Sequence, residues 1–164
     1  MRRIVICDTG PLLHLSEVNA LHLLHLAGDV IIPPVVADEF AQNAPSGKLP
    51  DWVQVKNLDK SYGKKAVRWA KQIDAGEVAA IALALQGQAD WLLSDDARAR
   101  QFAESLGLEV HGSIGLLLWG VAEGHIGGRD DALRLPNALV DSSLWISDRV
   151  LGQARKAIDK FFSE

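Results

Sequence analysis

Short apolar runs alternate with longer segments of helical periodicity along the chain. The run from Arg2 to Cys7 is rich in Ile and Val and predicts a strand buried on both faces. Further strands are predicted within four stretches: "DVII", "DWVQVKNL", "ADWLLSDD" and "LEVHG". The second of these alternates only weakly between apolar and polar residues, which favours a strand at the edge of a sheet.

Helical segments fill the intervals between these strands. The strongest helix prediction is "IDAGEVAAIALALQG", in which Ala and Leu fill the body and Gly87 ends the helix. Pro33 and Pro34 begin another helix, where their missing amide hydrogens cost little. The remaining helices are predicted at "LLHLSEVNALHLLHLAG", Lys60–Gln72, "ARARQFAESLG", "SIGLLLWGVAEGHIGG" and "SDRVLGQARKAIDKFF", the last with Ser147 as its N-cap.

This order of elements predicts an α/β fold. Strands separated by helices favour parallel pairing through right-handed crossovers, and hence a three-layer α/β/α sandwich with a central parallel sheet. In such sheets, ligands bind beyond the carboxyl ends of the strands. With 164 residues, the chain is long enough for one domain with a substantial core and too short for two ordinary domains.

Composition and charge add three exclusions. The formal net charge of −4 provides no overall basic field for nucleic acid, although a local groove can still be basic. The single Cys7 cannot form an internal disulfide. No stretch is long and apolar enough to span a bilayer, and "MRRIVICD" is not typical of a signal peptide. We therefore expect a cytoplasmic protein with no membrane partner.

Acidic residues fall at the predicted carboxyl edge of the sheet. Asp8 ends the first strand, and Asp95 and Asp96 end the "WLLS" strand. Glu39 lies early in the helix after the second strand, and Glu77 lies in the first turn of the alanine-rich helix. Because neighbouring parallel strands end at the same edge, folding should bring these side chains into one pocket.

Each of these acids also has a purely structural interpretation. Asp8 and Asp95 are both placed to cap a following helix. Asp74 and Glu77 match a capping box, in which the Glu side chain reaches back to a backbone N–H group. Glu39 alone is typical of a solvated helix surface. A shared site accounts for all of these acids together, because the fold gathers them at one edge.

A cluster of carboxylates favours a hard divalent cation. Carboxylates within about 4 Å repel one another by roughly 4 kcal/mol per pair at an effective dielectric of 20, so a cation or protons must accompany them. Oxygen ligands select Mg²⁺ or Mn²⁺ over zinc, and the sequence contains neither CxxC nor HExxH. Divalent ions at such an edge are typical of phosphodiester hydrolysis.

Other phosphate chemistries fit the sequence less well. A haloacid dehalogenase-like phosphatase needs a second acid two residues after Asp8, where the chain has Gly10. A receiver domain needs a lysine after a late strand, and "HGSIG" offers none. The phosphate-binding loops GxxxxGK[ST] and GxGxxG are absent from the sequence.

Four stretches, by their order and spacing, resemble a PIN domain: "ICDTGPLLHLSEV", "VIIPPVVADEF", "IDAGEVAAIALALQGQADWLLSDDARARQFAESLGLEVHGSIGLLL" and "WISDRVLGQA". The chain is most similar to the branch DUF3368, which is grouped with the toxin halves of VapBC-type toxin–antitoxin pairs. The resemblance implies a single PIN-like domain over residues 1–164. The C-terminal helices, at about 130–162, would pack on this domain or mediate association.

The resemblance further implies an endoribonuclease that depends on Mg²⁺ or Mn²⁺ and cleaves RNA phosphodiesters by metal-activated water. The catalytic acids of the family fall on Asp8, Glu39, Glu77 and Asp96. The implied metal ligands are Asp8, Glu77 and Asp96, with the neighbouring Asp95 as a further candidate. Supporting hydroxyls fall on Thr9 and Ser94. Arg98 and Arg100 stand where many PIN domains carry another acid, which favours one metal ion over two.

Basic and aromatic residues are candidates for RNA contacts. The basic candidates are Lys64, Lys65, Arg68, Arg98 and Arg100, with solvated helix faces as the alternative interpretation. The five tryptophans could stack on bases, although core packing is favoured for at least three. Three histidines of the Leu-rich segment, His14, His22 and His25, are interpreted as packing or partly exposed residues rather than ligands.

The expected partners are an RNA substrate, a small antitoxin protein and a second copy of the chain in a homo-dimer. The Leu-rich segment from Leu12 to Leu26 would supply the apolar surface for association. The alternative to an enzyme is a non-catalytic PIN-like binding or scaffold protein whose acids bind metal weakly or not at all.

Overall fold

A computed structural model describes residues 2–44 and 46–163. In these residues the strands are β1 (Ile4–Cys7), β2 (Asp29–Ile32), β3 (Val53–Val55), β4 (Trp91–Leu93) and β5 (Val110–His111). The helices are α1 (Thr9–Glu17), α2 (His22–Ala27), α3 (Pro34–Asn43), α4 (Lys60–Trp69), α5 (Ala75–Gln86), α6 (Ala97–Ser105), α7 (Ser113–Ala122), α8 (Arg129–Val140) and α9 (Asp148–Ser163). None of these helices is both long enough and apolar enough to cross a lipid bilayer.

The strands form one parallel sheet in the order β3-β2-β1-β4-β5. The first strand is central, with Val5 paired to Val30 on one side and to Trp91 on the other. The ladder continues one residue beyond β1, because the Asp8 N–H group donates to the Leu93 carbonyl at 2.9 Å. The strand predicted for the edge of the sheet, β3, lies at the edge. Asp8, the first candidate acid, lies at the carboxyl end of the central strand β1.

Side chains of β1 point alternately into two cores, one on each face of the sheet. Val5 and Cys7 belong to the core formed with α1, α2, α3, α7, α8 and α9. Ile6 belongs to the second core, with α5 and α6. Burial on both faces is typical of strands in parallel sheets covered by helices. The three-layer α/β/α architecture predicted from the sequence is confirmed.

The Leu-rich segment after β1 is two helices rather than the single helix that its periodicity predicts. α1 ends at Glu17, and α2 begins at His22. Between them Asn19 adopts a left-handed conformation with φ of 57°, and the Ala20 N–H group bonds back to the Leu15 carbonyl at 2.8 Å. Asn tolerates this conformation better than most residues and so permits the turn that separates the two helices.

The last two helices return the chain to the carboxyl edge of the sheet. Leu139 of α8 and Ile158 of α9 are fully buried in the main core. The loop between these helices is held to α1, because the backbone N–H and the hydroxyl of Ser143 bond to the Glu17 carboxylate at 2.8 and 2.5 Å. Residues 143–147 of this loop line the same pocket as Asp8 and Asp95, so the loop lies beside the predicted site.

Candidate active site

A cavity of about 890 Å³ opens at the carboxyl edge of the sheet. Six carboxylic acids contribute to its lining: Asp8, Glu39, Asp74, Glu77, Asp95 and Asp96. The structure thus brings together all of the acids that the sequence placed at this edge. Asp74 also faces the cavity, although the sequence suggested only a helix-capping role for it.

Asp8 is the most deeply buried of these acids, with 5% of its surface exposed. Its Oδ1 accepts a hydrogen bond from the Thr9 N–H group at 2.7 Å, so it also caps α1. Burial raises the pKa of Asp8 to about 7, against the lowering effect of that N–H group. The negative charges of Glu39, Asp95 and Asp96 raise it further.

Glu39 lies in the middle of α3, not early in the helix as expected, and reaches across to the start of α5. A Cβ atom added to Gly76 would lie only 2.3 Å from Oε1 of Glu39. Glycine therefore leaves room for this close approach, which places the Glu39 carboxylate beside the first turn of α5. No pattern in the sequence indicates this role of Gly76.

Glu77, in the first turn of α5, is partly buried. Desolvation raises the pKa of Glu77 to about 7, and the charges of Asp8, Asp96 and Asp74 add to this effect. The proposed capping box is incomplete among the described residues, because the Asp74 side chain makes no capping hydrogen bond to α5. Burial, with a further contribution from neighbouring carboxylates, thus raises the pKa of both Asp8 and Glu77 to about 7.

Adjacent residues Asp95 and Asp96 have different roles. The cap of α6 is Asp96, whose Oδ1 accepts from the Ala99 N–H group at 2.9 Å, so the expectation that Asp95 caps this helix is wrong. Asp95 instead accepts from the backbone N–H and hydroxyl of Ser113, at 2.7 and 2.6 Å. It also pairs with Nδ1 of His14 at 2.7 Å. This carboxylate joins the last turn of α1 to the start of α7.

The hydrogen bonds that Asp95 accepts favour its ionised form. Burial alone would raise its pKa, but the bonds from His14 and Ser113 outweigh burial and hold the pKa below its ordinary value. Gly10 and His14 are four residues apart on α1 and both face the cavity, as helical spacing requires. From the sequence, His14 was interpreted as a packing or partly exposed residue rather than a ligand. Only its spacing from Gly10 could have indicated that it faces the cavity.

Two hydroxyl groups close to Asp8 have unused hydrogen-bonding capacity. Oγ1 of Thr9 and Oγ of Ser94 are buried and have no hydrogen-bond partner among the described residues. Buried polar atoms are nearly always paired, so unpaired ones point to a ligand or water that satisfies them. Both residues are the hydroxyls that the family resemblance suggested as supports of the site.

The donor chemistry of the cavity fits a hard divalent cation. The acids offer oxygen ligands, and the charges of neighbouring carboxylates add to burial in raising the pKa of Asp8 and of Glu77. In residues 2–44 and 46–163, however, no three His, Cys, Asp or Glu side chains already converge on a common point as a metal-binding group. The site is therefore complementary to such an ion in chemistry without being a preassembled cage.

The predicted basic residues do not form one surface. Arg100 lies in the wall of the acidic cavity, where Nη1 would be 2.8 Å from a Cβ atom placed on Gly112. Lys64, Lys65 and Arg68 line a separate groove on α4. Arg98, in the first turn of α6, is exposed. Arg100 is thus the basic candidate that the structure places beside the acids.

Comparison with known protein families agrees with this architecture. The family DUF3368, described as a PIN domain, matches residues 4–160. No match was found among curated proteins. The matched region includes every acid of the cavity and almost the whole chain. The chain therefore belongs to the PIN-domain family DUF3368, within a superfamily whose members are generally nucleases.

Proposed function

We propose that the protein is an endoribonuclease that depends on Mg²⁺ or Mn²⁺ and hydrolyses RNA phosphodiester bonds. One observation carries this proposal: the buried Asp8 carboxylate shares a cavity with Glu39, Glu77 and Asp96. Burial, together with repulsion from Glu39, Asp95 and Asp96, disfavours an uncompensated charge on Asp8 and raises its pKa to about 7. A hard cation would relieve that repulsion and is the group that oxygen ligands select.

In this proposal, the acids divide into ligands and positioning residues. Asp8, Glu77 and Asp96 would hold the ion, and Glu39 would position the ion or a water molecule beside the start of α5. Asp95 is assigned a supporting role, since hydrogen bonds from His14 and Ser113 occupy its carboxylate. The hydroxyls of Thr9 and Ser94 would complete the hydrogen bonding around the ligands.

A bound divalent ion lowers the pKa of water and offsets charge on the reacting phosphate. The protein's own residues supply the rest. The Thr9 N–H group fixes the orientation of the Asp8 carboxylate, and burial keeps bulk water away from it. Arg100, in the same cavity wall, can bind a phosphate oxygen of the substrate. These residues position a phosphodiester for attack and stabilise its charge.

The test is cleavage of a fluorescently labelled RNA by the purified protein in the presence of Mg²⁺ or Mn²⁺. Asp8→Asn and Glu77→Gln should each lower the rate by at least about 100-fold, and chelation should abolish cleavage. Asp59→Asn is the matched control, because Asp59 also caps a helix through its carboxylate but lies outside the cavity. Cleavage that survives Asp8→Asn would contradict the proposal.

A second candidate function is a non-catalytic PIN-like scaffold. The observation that favours it is that Asp8 and Asp96 both serve as helix caps. On this hypothesis, Mg²⁺ should give no thermal stabilisation and the pure protein should cut no RNA. Two measurements therefore distinguish the two functions: the effect of Mg²⁺ on thermal stability and the cleavage of RNA.

The proposed biological role is that of a cytoplasmic toxin restrained by a small antitoxin protein, with the chain itself a dimer. This role is supported by the likeness of the sequence to the toxin branch of PIN proteins. Its test is expression of the chain alone and together with the product of a neighbouring short reading frame, with solution mass as the measure of assembly. Growth unaffected by the chain alone, or a monomer in solution, would count against it.

A further inference from the structure

Trp145 is exposed to an unusual degree for its size. Its side chain is 84% exposed, the largest value among the exposed large hydrophobic residues in the described ranges. The other four tryptophans are partly buried and pack against the hydrophobic cores: Trp52, Trp69, Trp91 and Trp119. An indole held in water loses the stabilisation of burial, so its exposure suggests a role in binding.

The loop that carries Trp145 is anchored on both sides of it. Leu144 and Ile146 pack against the main core. Before them, Ser143 is bonded to the Glu17 carboxylate, and after them the Ser147 hydroxyl accepts from the Val150 N–H group at 3.2 Å. The neighbouring residues therefore fix the loop while the indole between them remains outside the core.

The position of this indole connects it with the acidic site. Trp145 lines the same cavity as Asp8, Glu77 and Arg100. Carboxylates, a guanidinium group and an exposed aromatic face thus border one space. A nucleic-acid strand presents a matching set of groups, because its phosphates bind cations and its bases offer flat faces for stacking.

We propose that Trp145 stacks on an unpaired base of the strand whose phosphate enters the cavity. The stacked base then sets the register of the strand, and so which position along it lies at the site. This inference rests on the proposed nuclease function. Stacking is suited to this chain, because its net charge of −4 gives little general attraction for a polyanion. The affinity must come from local contacts, and base–aromatic stacking is among the strongest of these.

The test compares RNA cleavage by the full-length wild type with Trp145→Ala, Trp145→Leu and Trp145→Phe. Loss of the aromatic ring in the Ala and Leu variants should lower kcat/KM by about 10- to 100-fold, mainly through KM, whereas Phe should stay within about threefold. Phe161→Ala is the matched control, because it removes an aromatic residue that is 45% exposed on α9 outside the cavity.

A second measurement identifies the base that stacks. A single abasic nucleotide is moved along the single-stranded substrate, and kcat/KM is measured at each position. In the wild type, an abasic nucleotide at one position should lower kcat/KM about as much as Trp145→Ala does. In the Trp145→Ala variant, the same abasic nucleotide should lower kcat/KM no further. Equal penalties in both proteins, or full activity of Trp145→Leu, would overturn the stacking role.

The outcomes separate this inference from the function on which it rests. If the wild type cleaves RNA and Trp145→Ala cleaves it equally well, the stacking role is wrong and the nuclease proposal stands. If the wild type cleaves no RNA with any divalent ion, both are wrong. A Trp145→Ala protein with normal cleavage but altered self-association would make the indole a protein contact and overturn the proposal.

Discussion

Replacing Asp8 by Asn should stabilise the metal-free protein at neutral pH and above. The change removes a carboxylate that is 5% exposed and keeps a side chain of the same shape, which can still accept the hydrogen bond from Thr9. Burial raises the pKa of Asp8 from 3.8 to about 7. The ionised form is therefore disfavoured in the folded state, and the amide avoids this penalty.

The sign and size of the effect follow from proton linkage. The folded state holds its proton more tightly than the unfolded state, so the wild type loses stability as the pH rises from about 4 to about 7. The difference between a pKa of 3.8 and one of about 7 corresponds to roughly 4 kcal/mol as an upper limit. Because local relaxation reduces this limit, we expect Asp8→Asn to raise the free energy of unfolding by about 2 kcal/mol above pH 7. In a chain of this length, this corresponds to a Tm higher by about 4–8 °C.

The assay is thermal unfolding followed by circular dichroism in chelator, at several pH values between about 4 and 8. The Tm difference between Asp8→Asn and wild type should be near zero at the acidic end and grow toward neutral pH. Asp59→Asn, at the exposed cap of α4, should change stability by less than about 0.5 kcal/mol at every pH. Added Mg²⁺ should then stabilise the wild type and not the Asp8→Asn variant.

A destabilised Asp8→Asn protein at about pH 8, or a Tm difference that does not vary with pH, would refute this reasoning. The first result would mean that the Asp8 charge is favourable for folding, as in an ordinary helix cap. The second would mean that the Asp8 carboxyl group does not titrate differently in the folded and unfolded states.

Two further substitutions test the packing of the cavity wall. Gly76→Ala should change stability by less than about 1 kcal/mol but lower nuclease activity, because its Cβ would displace the flexible carboxylate end of Glu39. Gly63→Ala on α4 meets no atom within 4 Å and should be neutral or slightly stabilising, with activity unchanged. Denaturant unfolding and RNA cleavage by both variants check this. His14→Ala should cost about 1–3 kcal/mol at neutral pH by removing a hydrogen bond of Asp95. Since the pKa of Asp95 is lowered in the folded protein, that cost should shrink as the pH falls below about 4, and equal costs at all pH values would contradict it.

The sheet and the position of its acids could be predicted because both depend on short-range patterns. Runs of Ile, Val and Leu between helices specify buried parallel strands, and parallel strands end at one edge. Asp8 follows such a run directly, and Asp95 and Asp96 come within three residues of the end of another, so the strand order did not need to be known to place them at that edge. The position of Glu77 could be predicted because it lies in the first turn of a strongly predicted helix.

The details that the sequence left open depend on contacts between distant segments. Asp95 and Asp96 look equivalent until Ser113 and His14 approach one of them. The role of Gly76 depends on the distance between α3 and α5. Periodicity likewise cannot show that Trp145 is left outside the core, because the exposure of that indole is set by how α8 and α9 return to the sheet.

The hydrogen bonds of the aspartates also show why capping and metal binding need not exclude each other. Asp8 and Asp96 each use Oδ1 for a backbone N–H group, and within the described residues no hydrogen bond reaches Oδ2 of either. In Asp95, by contrast, both oxygens are occupied, Oδ1 by Ser113 and Oδ2 by Ser113 and His14. A helix cap therefore orients one oxygen of a carboxylate and leaves the other for a ligand. The two candidate functions are then distinguished by whether Mg²⁺ raises the Tm of the wild type, since a capping role alone predicts no such change.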